Sequence, residues 1–164
     1  MAALYDPGSA AAASEAREDL PVAARALGLT VQPWEIRDAD GLETALAALD
    51  TDRPDGLYLI TSGAVMRANA RRIAGFAVRT RLPSMVGNRE AEESGVLLYY
   101  GADFVDTSQL VARYVDRILK GARPADLPVE QPTKLELVIN LKTAHAIGLT
   151  IPPSMLQQAT EIIQ

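Results

Sequence analysis

The sequence predicts an α/β fold: a doubly wound parallel sheet in the flavodoxin-like strand order 2-1-3-4-5, followed by a C-terminal helix–strand–helix appendage. Three observations carry this. Short apolar segments alternate with helical ones four times before a fifth apolar segment arrives, and each crossover helix has to cover a face of the sheet. The third apolar segment, Gly56-Leu57-Tyr58-Leu59-Ile60, is nearly continuous, the pattern of a strand buried on both faces. Finally, Leu82-Pro83-Ser84-Met85-Val86 and Val96-Leu97-Leu98-Tyr99 each end in a polar or glycine-containing loop, Gly87-Asn88-Arg89-Glu90 and Tyr100-Gly101-Ala102-Asp103. In a parallel sheet both loops emerge at the carboxyl edge, where open α/β sheets bind ligands.

Taken in order, Ala2-Ala3-Leu4-Tyr5 reads as a strand that stops at Asp6-Pro7-Gly8-Ser9, with Asp6 or Ser9 placed to cap a helix. Residues 10–27 are alanine-rich and helical, closed by Gly28, with a kink or break expected near Leu20 because Pro21 falls inside. Residues 30–36 form a second strand, which Pro33 assigns to a sheet edge. A short helix over residues 42–49 follows, with Asp40 as its expected cap. After the central strand, residues 64–79 place Val65, Ile73, Phe76 and Ala77 near one helix face. Residues 107–120 form an amphipathic helix with Leu110, Val111, Tyr114, Val115, Ile118 and Leu119 as its stripe, stopped by Gly121. A proline-punctuated connector over residues 122–132 leads to Leu135-Glu136-Leu137-Val138-Ile139-Asn140, whose initial alternation marks a strand with one wet face. A short helix over residues 143–147 is closed by Gly148, and a last helix runs from Pro152-Pro153 to Ile163.

At 164 residues, with 48% hydrophobic side chains, the chain makes one domain, or one domain with an appendage. A net charge of -5 and the lack of any Lys/Arg block argue against nucleic acid as a partner. Arg67, Arg71, Arg72, Arg79 and Arg81 are the densest basic set, spaced as a solvated helix face. Without cysteine there are no disulfides, no thiol catalysis and no Cys-based metal site. His145 is the single histidine, which leaves a His-cluster metal site and a serine–histidine relay poorly supported. No cofactor is expected. No run approaches the roughly 20 apolar residues of a membrane span. Residues 1–6 have neither a basic region nor a long apolar one, so they are not read as a secretory signal.

The tail carries a family resemblance. Lys120-Gly121-Ala122-Arg123-Pro124-Ala125-Asp126-Leu127-Pro128-Val129-Glu130-Gln131-Pro132-Thr133-Lys134 resembles the ABC-transporter substrate-binding proteins of the tryptophan/tyrosine-permease-like type. So do Leu137-Val138-Ile139-Asn140-Leu141-Lys142-Thr143-Ala144 and Gly148-Leu149-Thr150-Ile151-Pro152-Pro153-Ser154. Leu4-Tyr5-Asp6-Pro7-Gly8-Ser9, Arg81-Leu82-Pro83, Gly87-Asn88-Arg89-Glu90 and Tyr100-Gly101 fall in the order such proteins show, so the resemblance spans essentially the whole chain.

The resemblance implies a type I periplasmic-binding-protein fold, in which two α/β lobes trap a small ligand and a membrane permease senses closure. No catalysis is implied. The chain would correspond to the second lobe over residues 1–104, with residues 105–164 resembling the segment that returns to pack on a first lobe. The family points to the periplasm, whereas the chain as it stands, without a signal, points to the cytoplasm. A lobe standing alone would leave the strand at Leu135 to Ile139 and the helix at Leu110 to Leu119 without partners, so homo-oligomerisation is expected. The function so implied is non-catalytic binding of a small organic or amino-acid-like ligand for an ABC import system. The alternative is a stand-alone oligomerising module.

For such a lobe the candidate ligand-binding residues are Asp6, Ser9, Thr61, Ser62, Asn88, Arg89 and Tyr100. Asp6, Gly8 and Ser9 precede a helix whose amino end favours a ligand carboxylate, or they serve as turn and cap. Thr61 and Ser62 offer hydroxyls at the end of the central strand, with capping as the other role. Asn88 has paired donor and acceptor atoms, and Arg89 a fork that fits a carboxylate. An Arg89–Glu90–Glu93 surface network is the alternative. Tyr99 and Tyr100 point to opposite faces, with Tyr100 expected nearer the cleft. Trp34 is expected in core or interface packing. His145 is given no role. Glu90, Glu92 and Glu93 lack the partners that paired-carboxylate catalysis needs.

Overall fold

The computed structural model describes residues 1–89 and 94–164. Strand β1 (Ala2–Tyr5) is buried at every position: β2 (Gln32–Glu35) and β3 (Leu57–Ile60) pair with its two edges, all parallel, Ala2 and Leu4 enter the main core on one face, and Tyr5 packs with Ala12 and Ala16 on the other. Pro33 is tolerated in β2 because β2 is an edge strand, as its sequence requires. Next come β4 (Ser84–Val86), parallel to β3, and β5 (Leu98–Ala102), parallel to β4. The first five strands therefore stand in the order expected from the sequence, 2-1-3-4-5.

The helices follow local chemistry. Ser9 caps α1 (Ala10–Ser14), its side chain accepting the Ala12 N–H. A π-helical turn, Glu15–Asp19, then opens the ladder just ahead of α2 (Leu20–Ala26), which carries Pro21 in its first turn. A proline ring clashes with the carbonyl four residues back, and a widened turn at that place relieves the clash. Gly28 ends the run at φ +66, a left-handed conformation that glycine adopts without strain. Helix α3 (Ala39–Asp52) starts three residues earlier than expected and is capped by Asp38, not Asp40: the Gly41 N–H donates to Asp38 Oδ1 at 2.7 Å. Helix α4 (Ala64–Thr80) buries Met66, Ala70, Ile73, Ala74, Phe76 and Ala77, one face at helical spacing. That face meets Leu4, Leu57, Leu59 and Val86 in the main core. Each large side chain removed from water there contributes about 1.5–3 kcal/mol.

The tail departs from expectation in three ways. Helix α5 (Phe104–Leu119) begins earlier than read from the sequence and has no buried residue. After it, β6 (Leu135–Asn140) returns antiparallel to β5 across the register Ala102↔Leu135 to Leu98↔Ile139. Leu135 to Ile139 is therefore not left unpaired: it extends the lobe's own sheet. The expected last helix also splits, into α7 (Pro153–Gln158) and β7 (Glu161–Ile163), with β7 parallel to β6. The cause is local. Thr160 grips Leu137 with its backbone N–H and hydroxyl, and the β-branched pair Ile162-Ile163 favours the pleated conformation that follows. Helix α6 (Leu141–Ile147) joins the two strands and ends at Gly148. The full sheet reads β2-β1-β3-β4-β5-β6-β7. Among the described residues no helix is long and apolar enough to cross a membrane.

Candidate functional site

The carboxyl ends of β4 and β5 enclose a cavity of about 600 Å³, lined by Gly87, Asn88, Arg89, Tyr99, Ala102, Phe104 and Thr107. Two glycines let its walls meet. A Cβ on Gly101 would lie 2.7 Å from the Gly87 carbonyl oxygen and 2.8 Å from the Tyr99 hydroxyl, distances no side chain occupies. A Cβ on Gly87 would sit 3.1 Å from the Tyr58 hydroxyl. That hydroxyl donates to Glu15 Oε1 at 2.6 Å, and burial, with this bond, pushes it well above the usual tyrosine range. The floor is the buried Tyr99 ring, whose hydroxyl donates to the Ala102 carbonyl at 3.0 Å.

The start of α5 is pinned beside this floor. Asp103 caps the helix, accepting the Asp106 N–H at 2.9 Å, and the Thr107 hydroxyl donates to the Asp103 carbonyl at 2.8 Å. The chain leaves the sheet and returns to it at one point. The Asp103 N–H donates to the Lys134 carbonyl at 3.0 Å, and Lys134 pairs with Asp106 at 2.8 Å.

Arg89 is built into a brace. Its guanidinium reaches Glu136 of β6 at 2.9 Å and Glu161 of β7 at 2.7 Å, and it lies 5.9 Å from the Tyr99 ring centre. One cation thus ties the end of β4 to two strands of the tail, and two carboxylates already answer its charge. These partners, Glu136 and Glu161, are not those of the Arg89–Glu90–Glu93 network expected as the alternative. Glu90, Glu92 and Glu93 lie outside the described residues.

The other candidates separate. Asp6 is 7% exposed, and its carboxylate accepts the Gly8 N–H at 2.8 Å and the Val65 N–H at 3.2 Å. It therefore joins the loop after β1 to the amino end of α4, and it does so against Gly63, where a Cβ would fall 2.2 Å from the Asp6 Cβ. Ser9 is occupied as the α1 cap. Thr61 is buried, and Ser62 is exposed with its carbonyl accepting from Arg67 at 3.3 Å. Tyr100 projects from the face opposite Tyr99 and is 46% exposed. Of the residues singled out from the sequence, only Asn88 and Arg89 line the cavity. The cleft-side aromatics are Tyr99 and Phe104, since strand alternation turns Tyr100 away. A start signal for α5, Asp103 followed three residues on by Asp106, was present in the sequence and would have brought Phe104 and Thr107 forward.

A second polar cluster flanks β1 and β2. The Tyr5 hydroxyl donates to Glu35 Oε1 at 2.9 Å and accepts from Arg17 Nε at 3.0 Å, while Arg17 and Arg37 both pair with Glu35. Hydrogen bonds from Arg17, then Tyr5, then Arg37 hold the Glu35 carboxyl down to about 2. Trp34 packs against the main core. Among the described residues, no group of three or more His, Cys, Asp or Glu side chains is arranged to hold a metal.

Comparison with known proteins bears on the family and the fold. The chain matches a conserved domain protein from Vibrio cholerae O1 biovar eltor str. N16961 at 25% identity and TM-score 0.84, covering 98% of this chain and 53% of that one. It matches the ABC domain in complex with L-Trp from Streptococcus pneumonia at 23% identity and TM-score 0.84, over 99% of this chain and 55% of that one. It also matches the ligand-free, open structure of CD0873, a substrate binding protein with adhesive properties from Clostridium difficile, at 17% identity and TM-score 0.75. The last two, below 25% identity, speak to the fold alone. The chain spans about half the length of these proteins, 53–55% of each. No curated protein sequence matches. The family described as ABC transporter substrate binding protein matches residues 1–163, and with that match over nearly its whole length the chain belongs to this family.

Proposed function

We propose that this chain is one lobe of a solute-binding protein and holds a small organic, amino-acid-like molecule without catalysing a reaction on it. The observation that carries the reading is the cavity between residues 87–89 and the start of α5, at the carboxyl edge of a sheet that belongs to this family. Open α/β sheets bind ligands at that edge. The L-Trp held by the Streptococcus relative supports the amino-acid-like class. In this reading α5 and the connector pack on a first lobe that closes over the ligand. Closure is passed to an ABC permease for import, and the periplasm is the working compartment. Val111, Val115 and Leu119, exposed on α5, are the apolar surface for that packing. A thermal-shift panel of amino acids and small organic acids tests the reading, since a ligand that binds the folded state raises its unfolding temperature. Selective stabilisation by one chemical class supports it. A flat response across the panel at millimolar concentration removes it.

The same bare α5 stripe favours a second reading, an oligomerising interaction module. With β6 paired to β5, that helix alone carries the argument. Sedimentation decides it: a monodisperse monomer at micromolar concentration ends the module reading.

A further inference from the structure

Resting on the solute-binding reading, we infer that Phe104 sets the specificity of the cavity by presenting its ring as the surface on which a flat, apolar part of the ligand lies. Phe104 is 66% exposed and lines the cavity, an unusual place for a phenylalanine unless something covers the ring. Its position sets it apart from the rest of the α5 stripe. The next exposed apolar residue on that face, Val111, lies about 10 Å further along the helix. Between them the face carries Thr107 and the exposed Ser108, a polar turn that separates Phe104, with the exposed Val105 beside it, from Val111 and the rest of the stripe.

Its surroundings are stiff. Asp103 and Thr107 lock the first turn of α5, and the Tyr99 floor is held by its bond to Ala102. A side chain carried on a turn fixed in this way loses only its own rotamer freedom when a ligand stacks on it. The cavity's charge points the same way. Arg89 is answered by Glu136 and Glu161, so an acidic ligand has to compete with two carboxylates for that guanidinium. An apolar ring meets no such competition on Phe104.

Saturation-transfer NMR on the 164-residue chain, which detects millimolar binding, tests this with indole, L-tryptophan and L-phenylalanine against L-alanine and L-glutamate. The aromatic probes are expected to receive the stronger transfer. Phe104→Ala is expected to weaken their binding roughly tenfold, while Phe104→Tyr keeps it, in line with the worth of an aromatic pair. Both variants should unfold within about 2 °C of the wild type, because an exposed ring contributes little to stability. Preferential binding of L-alanine or L-glutamate overturns the role of Phe104 and leaves solute binding standing. Unchanged aromatic affinity in Phe104→Ala does the same. No binding of any probe overturns both.

Discussion

Replacing Asp6 with alanine separates a structural carboxylate from a ligand-binding one. The side chain is 7% exposed and accepts two backbone N–H groups, from Gly8 at 2.8 Å and Val65 at 3.2 Å. Hydrogen bonds to a charged acceptor contribute about 1.5–3 kcal/mol each, and losing a helix cap costs about 0.5–2 kcal/mol. The Val65 bond is the longer and is itself the α4 cap, so the low end of each range applies. The sum is about 2 kcal/mol. In a chain of this size that lowers the unfolding temperature by about 4–8 °C. Asp6→Asn keeps an acceptor oxygen for one of the two donors and loses the charge, so about half that loss is expected. Circular dichroism melts of the three proteins read the difference directly. A loss under about 2 °C for Asp6→Ala would refute the clamp. So would a variant that keeps its stability and loses solute affinity, because Asp6 would then face the ligand.

Two further perturbations follow from the geometry. Gly101→Ala puts a Cβ 2.7 Å from the Gly87 carbonyl and 2.9 Å from the Tyr99 ring, neither of which is the loose end of a side chain. A destabilisation of about 1–3 kcal/mol is expected in chemical denaturation, typical of overpacking, and wild-type stability would show that the two loops part freely. Glu35 titrates at about 2 when folded and near 4.5 otherwise, so its stabilisation is complete above about pH 4.5 and is lost as pH falls through 2. Melts from pH 6 to pH 2 should therefore show a steeper acid loss in the wild type than in Glu35→Gln, and parallel curves would contradict the Arg17–Glu35–Tyr5 linkage.

Sequence periodicity reports whether a segment is buried, and on how many faces, and this made the first five strands legible. Gly56 to Ile60 is apolar throughout because both faces of its strand are covered, Leu57 and Leu59 by the main core and Tyr58 and Ile60 by the first helical run, and Pro33 marks an edge because β2 has a neighbour on one side only. The same signal is silent on which strand a returning segment joins. Leu135 to Asn140 reads as half-wet in any setting, and nothing in it names β5 as its partner. The segment 159–163 misled for a related reason. Its helical start is real in α7, but Thr160 locks onto Leu137, a long-range contact that outweighs local propensity.

The site was half legible on the same grounds. Asn88 and Arg89 were found because polar residues after a strand mark the carboxyl edge. The role of Arg89 was not, because Glu136 and Glu161 are far away in sequence and reach it only through the pairing of β6 with β5 and β7. That pairing has a mechanical consequence. The chain leaves at Asp103 and returns at Lys134, two residues bonded to each other, with Lys134 also paired to Asp106. Phe104 sits at the root of this arm, and Arg89 binds the opposite wall of the cavity to the strands that carry the arm back. A tilt of α5 thus moves one wall of the cavity while the brace holds the other. In the proposed reading, closure on a ligand that rests on Phe104 would in this way be coupled to whatever surface α5 packs against.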